Sequence, residues 1–391
     1  MILSVLMFCP QFRPVIGGAE RHAEKLAATL VERGCRVTIL TPRIDPDSPD
    51  MEEANGVIVE RFAFADLARR YPVPGIAVLN IPYILWQVAR AVWPRLKGKD
   101  ALHCHIASLE STGAAMASRF ADVPILVTAA TADKRSDLGE IEKTGATGSL
   151  VAWLARTFIQ TWVATTAAVD EALIRAGVEP GKINRIPNGV TLPEELNIER
   201  RAARVRRFLY LGRISTNANR DVPTLVRAFD RLATNQRDLE LAIVGGGDLF
   251  DSTQRLAETC AARNRIHMPG FDRPEKWLAW ADCFVLPSRK EGLSIALLEA
   301  MAVGLPCIAN DIPPNREVLD DGKAGVLVPV ENCEALEAAM RGMVENDELA
   351  RHFARKAKER IKQCYSIESV AARYVILYES LRGRSENTPA K

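Results

Sequence analysis

No paired cysteines, no long run of one charge sign and no unbroken membrane-length apolar segment occur in this chain of 391 residues, and each absence closes a class of function. The eight cysteines (Cys9, Cys35, Cys104, Cys260, Cys283, Cys307, Cys333 and Cys364) are scattered, mostly in apolar segments. That spacing fits neither a disulfide frame nor a zinc site and predicts buried, reduced thiols of a cytoplasmic protein. The formal net charge is +2, and basic residues are interspersed with acids, which argues against a nucleic-acid binder. The densest basic run, Glu199–Arg207, reads as an exposed connector or the lead-in to a strand. The apolar stretch Ile76–Val92 is interrupted by Asn80, Pro82, Gln87 and Arg90 and so does not read as a membrane span. Met1–Phe8 has neither the charged lead nor the cleavage site of a signal peptide and predicts a first buried strand.

What is present is two successive α/β patterns, as the length also suggests. The first predicts strand Leu3–Phe8, a loop with Gly17-Gly18-Ala19-Glu20, helix Arg21–Arg33 closed by Gly34, and strand Val37–Leu40, a βαβ unit with short connections. Further strands are predicted at Val57–Arg61, Ala101–His105, Ile125–Thr128, Val163–Thr165 and Ile183–Ile186. A second pattern restarts at Arg207–Gly212. Helix Val222–Leu232, strand Leu239–Val244, Gly245-Gly246-Gly247 and a helix to about Ala262 follow, then strands Ile266–Met268, Cys283–Leu286, Cys307–Ala309 and Gly325–Val328. The expected division is 1–190, a linker 191–206, a second domain 207–365, a helix 366–382 packing back on the first domain, and a flexible tail 383–391.

Within the second pattern, Leu286–Pro306 joins an apolar strand, a glycine turn and a helix, with carboxylates at Glu291 and Glu299. Free N–H groups around Gly292 and Leu293 at the helix N-terminus suit a phosphate, and Glu299 lies about two turns deeper than Glu291. On spacing alone, two Glu seven residues apart equally suit a solvated helix face. Ligands of open parallel sheets sit at the carboxyl ends of strands, where three glycine turns fall: Gly17-Gly18, Gly212-Arg213 and Gly245-Gly246-Gly247.

Taken together, Gly17-Gly18-Ala19-Glu20, Asn188-Gly189-Val190, Gly212-Arg213-Ile214, Ile243–Asp248 and above all Glu291–Glu299 resemble the retaining, nucleotide-sugar-dependent glycosyltransferases of family 4 (glycosyl transferases group 1). The likeness runs along nearly the whole chain. It implies the GT-B fold, α/β with two Rossmann-like doubly wound parallel-sheet domains facing a central cleft. By that likeness Arg213 and Arg220 clamp the donor diphosphate, with Arg220 where a Lys is usual, and a forked guanidinium grips phosphate differently from a point charge. Glu291 holds the transferred sugar and Glu299 the ribose. Gly292, Leu293 and Ser294 lie beside them, Gly17, Gly18, Gly212, Gly245 and Gly246 approach the donor, and the loop His267–Arg273, with Gly270 and Phe271, faces the base. The resemblance implies retention by front-side displacement, without metal or other cofactor, from a UDP- or GDP-linked sugar to a carbohydrate, lipid-linked or small-molecule acceptor.

One departure is Ala130, where relatives place a His; Asp133, Lys134, Arg135, Ser136 and Asp137 follow it. His103 and His105, predicted on opposite faces of a strand, do not make a two-His metal site, and His105 is the candidate for an acceptor-side role. A sugar-nucleotide epimerase and a non-catalytic nucleotide-sugar-binding protein stay open as alternatives. The segment Ile76–Lys97, Trp-bearing with basic ends, reads as a core helix or as a peripheral membrane contact at the inner membrane face.

Overall fold

The computed structural model describes residues 2–14, 17–70, 76–129, 138, 142, 145–193, 204–216 and 219–386. The chain divides into two units, Met1–Gly189 with Ile367–Lys391, and Val190–Ser366. Ala130 and the Asp133–Asp137 run lie outside the described residues, as do 194–203 of the expected linker and most of the expected tail.

In the first unit, strand β1 (Ser4–Phe8) is almost wholly apolar and buried, the signature of a central parallel strand covered on both faces. Strands β2 (Arg36–Pro42), β3 (Met51–Ala54), β4 (Val57–Phe62), β5 (Ala101–Cys104), β6 (Ile125–Ala129), β7 (Thr161–Ala164) and β8 (Ile183–Arg185) complete the sheet in the order β3-β4-β2-β1-β5-β6-β7-β8. All neighbours pair in parallel except β3, an antiparallel edge strand joined to β4 through Asn55-Gly56. Sequence reasoning missed β3 because Met51-Glu52-Glu53-Ala54 carries no apolar alternation; its pairing, not its side chains, makes it a strand. One face of the sheet packs on helix Gly18–Glu32 and on the C-terminal helix Ile367–Glu386, whose Val370, Tyr374 and Tyr378 are buried with Val5, Met7 and Leu26. The other face packs on helices Ile76–Val92 and Leu109–Ala121.

The second unit is built on β9 (Arg207–Leu211), β10 (Glu240–Val244), β11 (Ile266–Gly270), β12 (Cys283–Leu286), β13 (Cys307–Asn310) and β14 (Val326–Val328). All pair in parallel, in the order β11-β10-β9-β12-β13-β14. This is the doubly wound order in which the direction of winding reverses once, here between β9 and β12. Val205, at the end of the expected linker, is fully buried in this unit's core and therefore belongs to the domain rather than to a connector. Three helices end the described chain, and the last of them, Ile367–Glu386, belongs to the first unit as the expected helix 366–382 does. Cys333–Glu345 and Asp347–Arg360 belong to the second unit, and the chain passes to the first through a π turn, Ile361–Tyr365, before Ile367–Glu386.

Six of the eight cysteines are buried and all are free. Among the described residues no helix is long and apolar enough to cross a membrane.

Candidate active site

The reversal point of the second sheet is where the loops after β9 and β12 meet. Backbone hydrogen bonds lace them together: Asp221 N–H donates to the Pro287 carbonyl (2.7 Å) and Arg289 N–H to the Asn219 carbonyl (2.7 Å). This pairing sets Arg220 opposite Ser288. Arg220 Nη2 then lies 2.8 Å from Glu291 Oε1, an oxygen that also accepts from the Ser288 hydroxyl at 2.8 Å. The Arg220 and Glu291 side chains are 16% and 10% exposed, so the pair is largely withdrawn from water. Arg220 Nε and Nη1 are buried and, among the described residues, have no hydrogen bond of ordinary geometry. Burial works against the Arg220 charge, but Glu291 and then Tyr210 outweigh it and its pKa is raised. Tyr210, on β9, is pushed up to about 12, chiefly by burial, and its hydroxyl donates to the Arg213 carbonyl at 2.8 Å. A buried guanidinium with donors left over, at a strand-end crevice, is arranged for an oxyanion.

The three β-strand ends beside it are drawn into one edge. Gly212 N–H donates to the Val244 carbonyl, Ile214 N–H to Gly246 and Gly245 N–H to Gly270, at 2.8–3.0 Å. Gly245 has φ +136°, and a Cβ there would collide with the Gly212 carbonyl, so the turn needs glycine on both counts. Phe271 is 79% exposed, and its ring lies over Gly246, where an added Cβ would stand 2.6 Å from it. The loop carrying Phe271 is held by Asp272, whose carboxylate accepts from Lys276 (2.7 Å) and the Trp277 indole (2.9 Å). Those bonds, Lys276 first, lower its pKa to about 2.

Beyond Glu291, Gly292, Leu293 and Ser294 are buried, and the Ser294 hydroxyl caps helix Ile295–Ala302 by accepting from Leu297 N–H. Glu299 lies on that helix and is buried. Arg213 is exposed, and among the described residues its side chain has no ion pair. The fold thus brings Arg220, Glu291, Gly212, Gly245, Gly246 and Phe271 to one sheet edge. Sequence reasoning missed two contributors there. Tyr210 reads as an ordinary strand aromatic, and Ser288 shows its role only through its bond to Glu291.

In the first unit the winding reverses between β1 and β5. The Gly17-Gly18 turn, reached from β1, is uncapped by any side chain at the start of helix Gly18–Glu32. His105 follows β5, its backbone N–H donating to the Phe8 carbonyl at 3.0 Å. The expectation that His103 and His105 face opposite sides fails, because residues two apart on an extended chain share a face, and the two rings lie 5.6 Å apart. His103 is a core residue, bonded to the Tyr378 hydroxyl (2.7 Å) and the Thr128 hydroxyl (3.0 Å). His105 is 4% exposed and 3.2 Å from His22, a residue sequence reasoning passed over as part of a helix. Burial lowers all three histidines, His105 to about 4. Among the described residues no three His, Cys, Asp or Glu side chains gather as a metal site.

Comparison with known proteins agrees with the fold. The family described as "Glycosyl transferases group 1" matches residues 193–360, and the "Glycosyl transferase 4-like domain" matches residues 17–189. The chain is 26% identical over 395 residues to the phosphatidyl-myo-inositol mannosyltransferase of Mycolicibacterium smegmatis, covering 97% of this chain and 95% of that protein. Sucrose-phosphate synthase from Thermosynechococcus elongatus superposes with a TM-score of 0.76 at 20% identity, covering 98% of this chain and 100% of that one. Anabaena HepE, solved in complex with UDP-glucose, superposes with a TM-score of 0.72 at 17% identity, covering 97% and 100%. The two solved structures share the two-domain GT-B fold with this chain.

Proposed function

The chain belongs to the group 1 glycosyltransferases, and from that premise we propose that it transfers a hexose from a nucleoside diphosphate sugar to an acceptor hydroxyl, with retention of configuration, in glycan or glycolipid synthesis. The observation that carries this reading is the buried Arg220–Glu291 pair, with spare guanidinium donors, at the reversal point of the second sheet.

In this reading the donor diphosphate meets Arg220, Arg213 and the N–H groups around Gly292 and Leu293. Phe271 stacks on the base, Glu291 accepts from hydroxyls of the sugar and Glu299 from the ribose. As the bond between the anomeric carbon and the phosphate oxygen breaks, negative charge grows on the leaving diphosphate. Fixed cations and N–H donors stabilise that charge without reorganising. The acceptor oxygen bonds to the anomeric carbon from the same face, and its proton passes to the departing phosphate oxygen. The two arginines supply the positive charge, so the scheme calls on no metal ion.

A lipid-linked acceptor is favoured by a second feature. Helix Ile76–Val92 buries Ile84, Leu85, Val88 and Val92 in the core but leaves Leu79, Trp86, Arg90 and, just beyond it, Trp93 exposed along one stripe. Arg90 sits over the Trp86 ring at 5.3 Å, and Trp93 borders a shallow groove with Lys97 and Ala121. Aromatics flanked by cations suit the interface of an anionic membrane. The M. smegmatis relative, by its name, acts on a phosphoinositide.

The test is turnover of UDP- and GDP-hexoses by the purified protein with lipid and soluble acceptors. Glu291→Gln is expected to lose at least roughly a hundredfold in turnover while retaining its fold. Full activity in that variant would refute the site. Interconversion of the donor sugar without an acceptor would instead identify an epimerase, and tight binding without turnover a non-catalytic binding protein.

A further inference from the structure

Glu291 stands in the irregular turn between β12 and helix Ile295–Ala302, where neither a strand ladder nor a helix fixes it. Its carboxylate is nevertheless held, and through one oxygen. The Ser288 hydroxyl lies 2.8 Å from Glu291 Oε1, and Arg220 Nη2 meets the same oxygen at 2.8 Å. A carboxylate paired with a guanidinium can only accept, so the serine proton is committed to Oε1. With Arg220 beside it, Oε1 has both of its acceptor sites filled. Among the described residues nothing hydrogen-bonds Oε2, which keeps its acceptor capacity for a ligand.

Ser288 is the rigid end of this arrangement. It is fully buried, and its backbone faces Arg220 in an antiparallel bridge. On either side the bridge is closed by the bonds from Asp221 N–H to the Pro287 carbonyl and from Arg289 N–H to the Asn219 carbonyl. Alanine would serve the burial and the backbone pairing equally well. A buried hydroxyl costs free energy unless it is bonded, so what serine adds here is the bond to Glu291, three residues on.

We infer that Ser288 is a positioning residue that locks Glu291 Oε1 against Arg220, so that Glu291 meets the transferred sugar through Oε2 alone. The contact with a sugar rests on the glycosyltransferase reading, whereas the lock concerns the protein alone. Its use is preorganisation. The free lone pairs of Glu291 are aimed before the donor arrives, and no ordering of the carboxylate is left for the transition state.

The test is Ser288→Ala, which removes the hydroxyl and almost no volume. Transfer is measured with the UDP- and GDP-hexoses, and UDP and GDP are titrated by calorimetry as donors that lack the sugar. On the donor that the wild type uses, Ser288→Ala is expected to lose roughly tenfold in kcat, with KM and the affinity for the matching bare nucleotide changed by less than about twofold. A loosened loop would behave differently, because the diphosphate and Glu291 are held by the same lacing and would be lost together. The lock also has a readout that needs no substrate. Ser288→Ala should lower the Tm of the wild type but not that of a Glu291→Ala protein, in which the hydroxyl has already lost its partner.

Unchanged kcat in Ser288→Ala would overturn the positioning role. So would turnover and bare-nucleotide affinity falling together, or an equal fall in Tm in the two backgrounds. Absence of any glycosyl transfer by the wild type, with the Tm coupling intact, would instead remove the functional reading and leave the lock on Glu291 standing.

Discussion

Acidification from about pH 7.5 to about pH 5 destabilises the first unit, because three buried histidines there resist protonation. An unfolded histidine titrates near 6.5, whereas burial lowers His105 to about 4 in the native state. His22 and His103 are lowered in the same direction, again by burial first. Above about pH 6.5 neither state binds these protons and stability is unaffected. Below it the unfolded chain takes up protons that the native core refuses, so stability falls with pH, and His105's share levels off once pH passes about 4. At pH 5 the deficit for His105 is about 1.5 pH units, or about 2 kcal/mol, and His22 and His103 act in the same direction. Urea melts at several pH values, followed by a probe confined to the first unit such as the buried Trp162, would show a slope of at least one proton below about pH 6.5. His105→Gln should lower the slope by one. A first unit equally stable at pH 7.5 and 5, or an unchanged slope in His105→Gln, would refute the reasoning.

Gly245→Ala forces a side chain into a φ +136° backbone against the Gly212 carbonyl and should cost the second unit about 1–3 kcal/mol, read as a lowered Tm. Phe271→Ala removes an exposed ring and should leave the fold untouched while weakening nucleoside diphosphate binding by about 1–3 kcal/mol, measured by calorimetry. Trp86→Ser with Trp93→Ser should abolish flotation with anionic phospholipid vesicles and spare transfer to a water-soluble acceptor.

Much of this architecture is legible in the chain because local and tertiary signals agree. Cys283–Leu286 is apolar throughout and stopped by Pro287, and the strand has those bounds. Glu291, Gly212 and Gly245 announce themselves by following strands. What stayed hidden depends on pairing between distant segments. Arg220 lies at the site only because its loop is laced to residues 287–289, and its bond to Glu291 has no local signature. His22 sits in a helix whose pattern says only that one face is buried; its meaning comes from Gly189 and His105, 167 and 83 residues away. Strand β3 is likewise set by what it pairs with.

Calorimetric titration of UDP and of GDP into the wild type and into Arg220→Ala tests the central claim most directly. The buried guanidinium at the reversal point of the second sheet should be the anchor of the diphosphate. One of the two nucleotides is expected to bind the wild type and to lose roughly tenfold or more in affinity in Arg220→Ala, a loss of about 1.5–3 kcal/mol. Equal affinity in the two proteins would contradict it.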